Sequence, residues 1–99
     1  MTISDFKASL SGAAPAPSLS APLAGLWWAA KGDWDKAHKI VQDESTREAA
    51  WVHAYLHRVE GDLGNASYWH RQAGQPVAKD TLDAEWERIA SALIEDDKA

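Results

Sequence analysis

The sequence predicts a single all-α domain built from stacked helix pairs. Three observations lead there. Apolar residues recur at spacings of three and four, most clearly in the stripe Leu82, Trp86, Ile89, Ala90, Leu93 and Ile94. A Gly-Asp pair occurs twice, as Gly32-Asp33 and Gly61-Asp62, and each is followed at the same distance by an alanine, Ala37 and Ala66. The chain has 99 residues and is 45% apolar, which suffices for one packed core and is too short for two.

The elements follow in order. Ile3, Phe6 and Leu10 give residues 1–11 the spacing of a short helix, with Ser4 as its cap. Residues 12–22 hold Pro15, Pro17 and Pro22 among alanines and serines, a composition that reads as an extended strap pinned by Leu19. Pro22 suits the first turn of a helix behind Ser20. That helix carries Leu23, Leu26, Trp27, Ala29 and Ala30 and breaks at Gly32-Asp33. A second helix is expected over about 34–42, with Ala37, Ile40 and Val41 inward. Ser45 and Glu48 have the form of a capping box, which starts a third helix over about 46–60. The fourth is expected over about 63–73, closed by Gly74, Gln75 and Pro76, and the last over about 81–94, capped by Asp80 or Thr81. One domain over 1–99 therefore divides into an N-terminal segment and Ala/Pro-rich strap (1–21), two helical hairpins (22–75), and a capping helix with an acidic tail (76–99).

Composition narrows the function. The chain has no cysteine, which excludes disulfides and thiolate metal sites and fits a reducing cytoplasm. No run approaches the roughly 18 apolar residues of a membrane span, and Met1 to Leu10 lacks the pattern of a secretory signal. A cytoplasmic protein without a membrane partner is the expectation. Net charge is −5. Asp80, Asp83, Glu85, Glu87, Glu95, Asp96 and Asp97 outweigh Arg88 and Lys98, and are expected to form a solvated helix face and a frayed tail. With no basic face in view, nucleic acid is not an expected partner.

Over residues 20–75 the chain resembles the tetratricopeptide repeat, whose pattern is W-x2-L-G-x2-Y, then A-x3-F, then a proline. Ala24-Gly25-x2-Trp28 and His53-Ala54-x2-His57 fall on the first part, and Ala37-x3-Val41 and Ala66-x3-His70 on the second. The stretches LWWAAKGDWDKAHKIVQ and YLHRVEGDLGNASYWHR carry the likeness. The repeat is shorter than the family's, Trp51 lies one place after the family's tryptophan, and Pro76 comes early. The chain is also similar to small bacterial proteins of unassigned activity that carry DW-x2-AH and WVHAYLHR-x-EGD stretches. The repeat resemblance implies a right-handed stack whose concave side takes a protein or peptide partner, such as an amphipathic helix. Leu26, Trp51, Tyr55 and Arg58 would be its contacts. The same surface could instead be filled by the protein's own last helix or strap, because a short stack must be capped.

Four histidines carry the alternatives. His53, His57 and Glu60 fall at i, i+4 and i+7, on one helix face, where two imidazoles and a carboxylate can bind a divalent metal such as zinc or iron. The repeat template adds His70 from the partner helix, so that His53, His57 and His70 form the expected ligand set, with His38 and Glu60 as further candidates. The bland reading makes these histidines half-buried packing residues. A third reading takes His57 as a base oriented by Glu60 in a hydrolase-like enzyme. The sequence holds no serine motif, phosphate loop or dinucleotide fingerprint, so no catalytic residue and no obligatory cofactor are assigned. The six tryptophans are expected mostly in the core, with Trp28 or Trp34 partly exposed as a contact patch. Monomer and homodimer both remain open.

Overall fold

The computed structural model describes residues 1–98, with side chains through Glu95. Its order is α1 (Ile3–Ala8) with a 3₁₀ turn (Ser9–Ser11), α2 (Ala21–Ala30), α3 (Trp34–Gln42), α4 (Arg47–Val59), α5 (Leu63–Gln72) and α6 (Leu82–Lys98). The described residues are all-helical, as expected. α2 packs on α3 and α4 on α5, giving two hairpins that meet where α3 and α2 touch α4. α6 then lies across α4 and α2, and α1 lies on α6. None of the described helices is long and apolar enough to cross a membrane.

The Gly-Asp pairs make both hairpins by one device. Gly32 (φ +83°) and Gly61 (φ +87°) occupy the left-handed region, which a side chain disfavours. Each glycine N–H bonds back to the carbonyl three residues earlier, Ala29 or Arg58. The next N–H, of Asp33 or Asp62, bonds five residues back, to Trp28 or His57, at 3.0 and 2.9 Å. This closes the helix end as a Schellman motif. The same aspartate then caps the following helix, its carboxylate accepting the N–H of Lys36 or Asn65 at 3.1 and 3.2 Å. Two residues thus end one helix, reverse the chain and start the next.

Some expected ends are corrected. α1 is capped by Thr2, not Ser4, in a reciprocal capping box with Asp5, so the chain enters the helix earlier. α4 is capped by Thr46 through the Ala49 N–H at 3.1 Å, which displaces the expected Ser45–Glu48 box by one residue. Thr81 caps α6 through the Ala84 N–H. α6 runs past the expected end at Ile94 to Lys98. The expected frayed tail falls on side chains 96–99, outside the described residues.

The core runs between the hairpins and α6. Leu23, Leu26 and Trp27 from α2, Val41 from α3, Val52 and Leu56 from α4, and Ile89 and Ala90 from α6 are fully or almost fully buried. Trp27, Trp51 and Trp86 are core tryptophans, whereas Trp28, Trp34 and Trp69 are half-buried at its margin. Phe6 stacks on Trp86 at 5.6 Å between ring centres, which anchors α1. Leu19 of the strap packs on the same core.

Candidate metal centre

α4 is buried along every residue from Ala49 to His57, because α2, α3, α5 and α6 all pack on it. A helix surrounded in this way presents its histidines to neighbouring elements. His53 and His57, one turn apart, face α3, and the ring they meet is that of His38. His38 and His53 lie Nε2 to Nε2 at 3.0 Å. The three histidines place one nitrogen each within 4.8 Å of one another. Two hairpins contribute: His38 from the first, His53 and His57 from the second.

Tryptophans fix the rings on both sides. Trp34 stacks on His38 at 4.7 Å between ring centres, nearly parallel, and donates its Nε1–H to the Leu56 carbonyl at 2.7 Å. That bond ties the first turn of α3 to α4. Trp69 of α5 stacks on His53 at 4.0 Å. His57 has its Nδ1 bonded to Glu60 Oε1 at 2.6 Å. A carboxylate only accepts, so Nδ1 carries the hydrogen, which leaves Nε2 as the lone-pair nitrogen. This is the arrangement by which a carboxylate orients a metal-binding histidine.

The electrostatics keep two of the rings uncharged at neutral pH. Burial, then the neighbouring His38 and His57, lower the pKa of His53 from 6.5 to about 4. Burial, then His57, also lower that of His38, against an opposing pull from Glu60 and Asp35. Neutral imidazoles retain the lone pairs a cation needs. One pair is already near ligand spacing. Tetrahedral coordination at the usual zinc–nitrogen distance sets ligand nitrogens about 3.3 Å apart, so the His38–His53 pair needs to open by only a few tenths of an ångström. In the metal-free pair one Nε2–H donates to the other ring, and a tautomer change exposes both lone pairs.

The expected ligand set is corrected in one member. His70 does not join His53 and His57. It is fully buried on the other side of the second hairpin, its Nε2 bonded to Glu85 Oε2 at 2.7 Å. On α5 it is Trp69, one residue earlier, that meets His53, while His70 turns toward α6. His38 takes its place. Glu60 is outside the three-nitrogen cluster but bonds His57, and with His57 and Asp62 it forms a second group of ligand-type atoms within 4.8 Å of one another. Glu85 escaped the sequence reading, which placed it on a solvated acidic face. It is fully buried and accepts from Arg58 at 2.8 Å as well as from His70. Its spacing, four before Ile89 and eight before Leu93, is the signal that puts it on the inward stripe.

The residues expected to meet a partner lie under α6. Leu26 is fully buried, and its carbonyl accepts the Trp86 Nε1–H at 2.9 Å. Trp51 and Tyr55 are buried, and Arg58 is paired to Glu85 and to the Asp80 carbonyl. The surface expected to take a partner is therefore covered by the protein's own last helix, because α6 supplies both the apolar stripe and a buried carboxylate for Arg58. Comparison with protein-family models, curated proteins and solved structures finds no match.

Proposed function

We propose that this chain is a metal-binding helical protein that takes one divalent ion of the zinc class through His38, His53 and His57, with Glu60 orienting His57. The observation that supports the reading is the convergence of three histidine nitrogens from α3 and α4 within 4.8 Å. Two of these rings are neutral at physiological pH, and the third is held by a carboxylate. Three nitrogen ligands leave a fourth position for water or an exogenous donor. An ion held there would bridge the two hairpins, so binding would add directly to stability. The protein-interaction reading has less support, since a partner on the Leu26–Trp51–Tyr55–Arg58 surface would first have to displace α6.

Equilibrium dialysis against zinc at pH 7.5, followed by metal analysis, tests the proposal. One equivalent is expected, together with a rise in melting temperature. His38→Gln, at the half-buried ligand, is expected to abolish stoichiometric binding while the fold persists. Substoichiometric zinc, nickel and cobalt in the unmodified protein, or undiminished binding by the variant, would overturn it.

A further inference from the structure

A second site stands apart from the histidines, on the opposite side of α4. A cavity of about 470 Å³ opens between α1, α2, α4 and α6, lined by Tyr55, Trp86, Asp83, Glu87 and Lys7 among others. Its floor is aromatic: Tyr55 and Trp86 are each more than nine-tenths buried. Trp86 is fixed by its bond to the Leu26 carbonyl and by stacking on Phe6. The Tyr55 hydroxyl makes no hydrogen bond with any described residue, although the side chain is 7% exposed and lines the cavity. The hydroxyl oxygen is accessible from the cavity and is free to act there as donor or acceptor.

The rim is acidic, with one exception. Asp83 and Glu87, four residues apart on α6, stand on the same side of that helix. Lys7 reaches over from α1 and pairs with Glu87, both side chains about half exposed. The protein's own ammonium thus sits on the lining of the cavity, paired with Glu87. It displays the chemistry the site accepts, and its exposure makes the pair weak enough to exchange.

We infer that this cavity is a binding site for a small organic amine, whose ammonium replaces that of Lys7 between Glu87 and Asp83 while its apolar body lies on Trp86 and Tyr55. The charge pairs with the carboxylates, the rings pack against the apolar body, and the Tyr55 hydroxyl is within the cavity to meet a polar group. Displacing Lys7 leaves the site with two carboxylates for the incoming cation.

The test uses phenethylamine, with 2-phenylethanol as its uncharged counterpart and Nα-acetyl-lysine methylamide as a stand-in for a protein lysine. Each is titrated into the 15N-labelled protein, and the Trp86 indole N–H resonance is followed. Phenethylamine is expected to move that resonance saturably and to bind at least about 5-fold more tightly than the alcohol. Stronger binding of the lysine derivative than of phenethylamine would overturn the small-amine assignment in favour of a protein lysine. Lys7→Met, an exposed change, is expected to tighten phenethylamine binding about 2- to 5-fold by freeing Glu87. Asp83→Asn with Glu87→Gln is expected to remove the preference for amine over alcohol, and Tyr55→Phe to weaken binding. Equal affinity for amine and alcohol, no tightening in Lys7→Met, or shifts confined to other tryptophans would overturn the inference.

Discussion

Glu60 shows how much one carboxylate can contribute beside the histidine cluster. Its bond to His57 Nδ1 fixes both the tautomer and the ring plane. Glu60→Gln keeps the size and loses the strong acceptor, so zinc affinity is expected to fall by about 10- to 100-fold, read by competition with a chromophoric chelator. An unchanged affinity would mean that the ring is held by packing alone. His53 makes a second demand. Its pKa of about 4 in the folded state lies below its unfolded value, so the unfolded chain binds more protons between these two. Stability of the metal-free protein should therefore be full above about pH 6.5 and fall as pH drops toward 4, by on the order of 2 kcal/mol. Denaturant titrations across that window check it. In His53→Gln the step should shrink, and a step of undiminished size would assign it elsewhere.

Among the helices, close approach is decided by small residues. A Cβ on Gly25 of α2 would stand 2.8 Å from Val41 Cγ1 and 3.4 Å from Val52 Cγ1. The helix-propensity gain of alanine, up to about 1 kcal/mol, is smaller than the overpacking cost of about 1–3 kcal/mol. Gly25→Ala is therefore expected to destabilise by about 1 kcal/mol. Gly64, in the first turn of α5, has open space where its Cβ would be, so Gly64→Ala should stabilise by about 0.5 kcal/mol. Thermal unfolding of the two variants side by side gives opposite signs if α2 truly packs at backbone distance on α3 and α4. The Gly-Asp hinges and Ala37 were readable in advance because turn chemistry is local. The caps at Thr2 and Thr46 were missed because two or three neighbouring hydroxyls compete for each helix start, and packing selects among them.

For the molecule as a whole, α6 is the element that closes the fold. It covers Leu26, Trp51 and Tyr55 with its apolar stripe and fastens them with Glu85, which joins Arg58 of α4 and His70 of α5 in one buried network. Removing the shared carboxylate would strand two buried partners. Glu85→Ala is expected to cost about 3–5 kcal/mol and to expose Trp51 to solvent quenchers. A loss below about 1 kcal/mol would show that the apolar stripe alone holds α6. α4 stands between the histidine cluster and the cavity: the histidines lie on its α3 side, the acidic aromatic cavity on its α6 side.

Local chemistry in the chain was enough to set the helices, their glycine hinges and the pairing of His53 with His57 one turn apart, since these depend on residues within a few positions of each other. Which third histidine completes the cluster was settled only by how the hairpins rotate against one another. His38 and His70 stand on neighbours of the same helix, and a turn of one residue along α5 brings Trp69 to the cluster and sends His70 to Glu85. The partners that meet Glu85 and the covering of Leu26, Trp51 and Tyr55 by α6 were likewise tertiary outcomes. A carboxylate enters a core only when cations from distant segments meet it there; the spacing of Glu85 marks the inward stripe, but it does not name Arg58 and His70 as the partners.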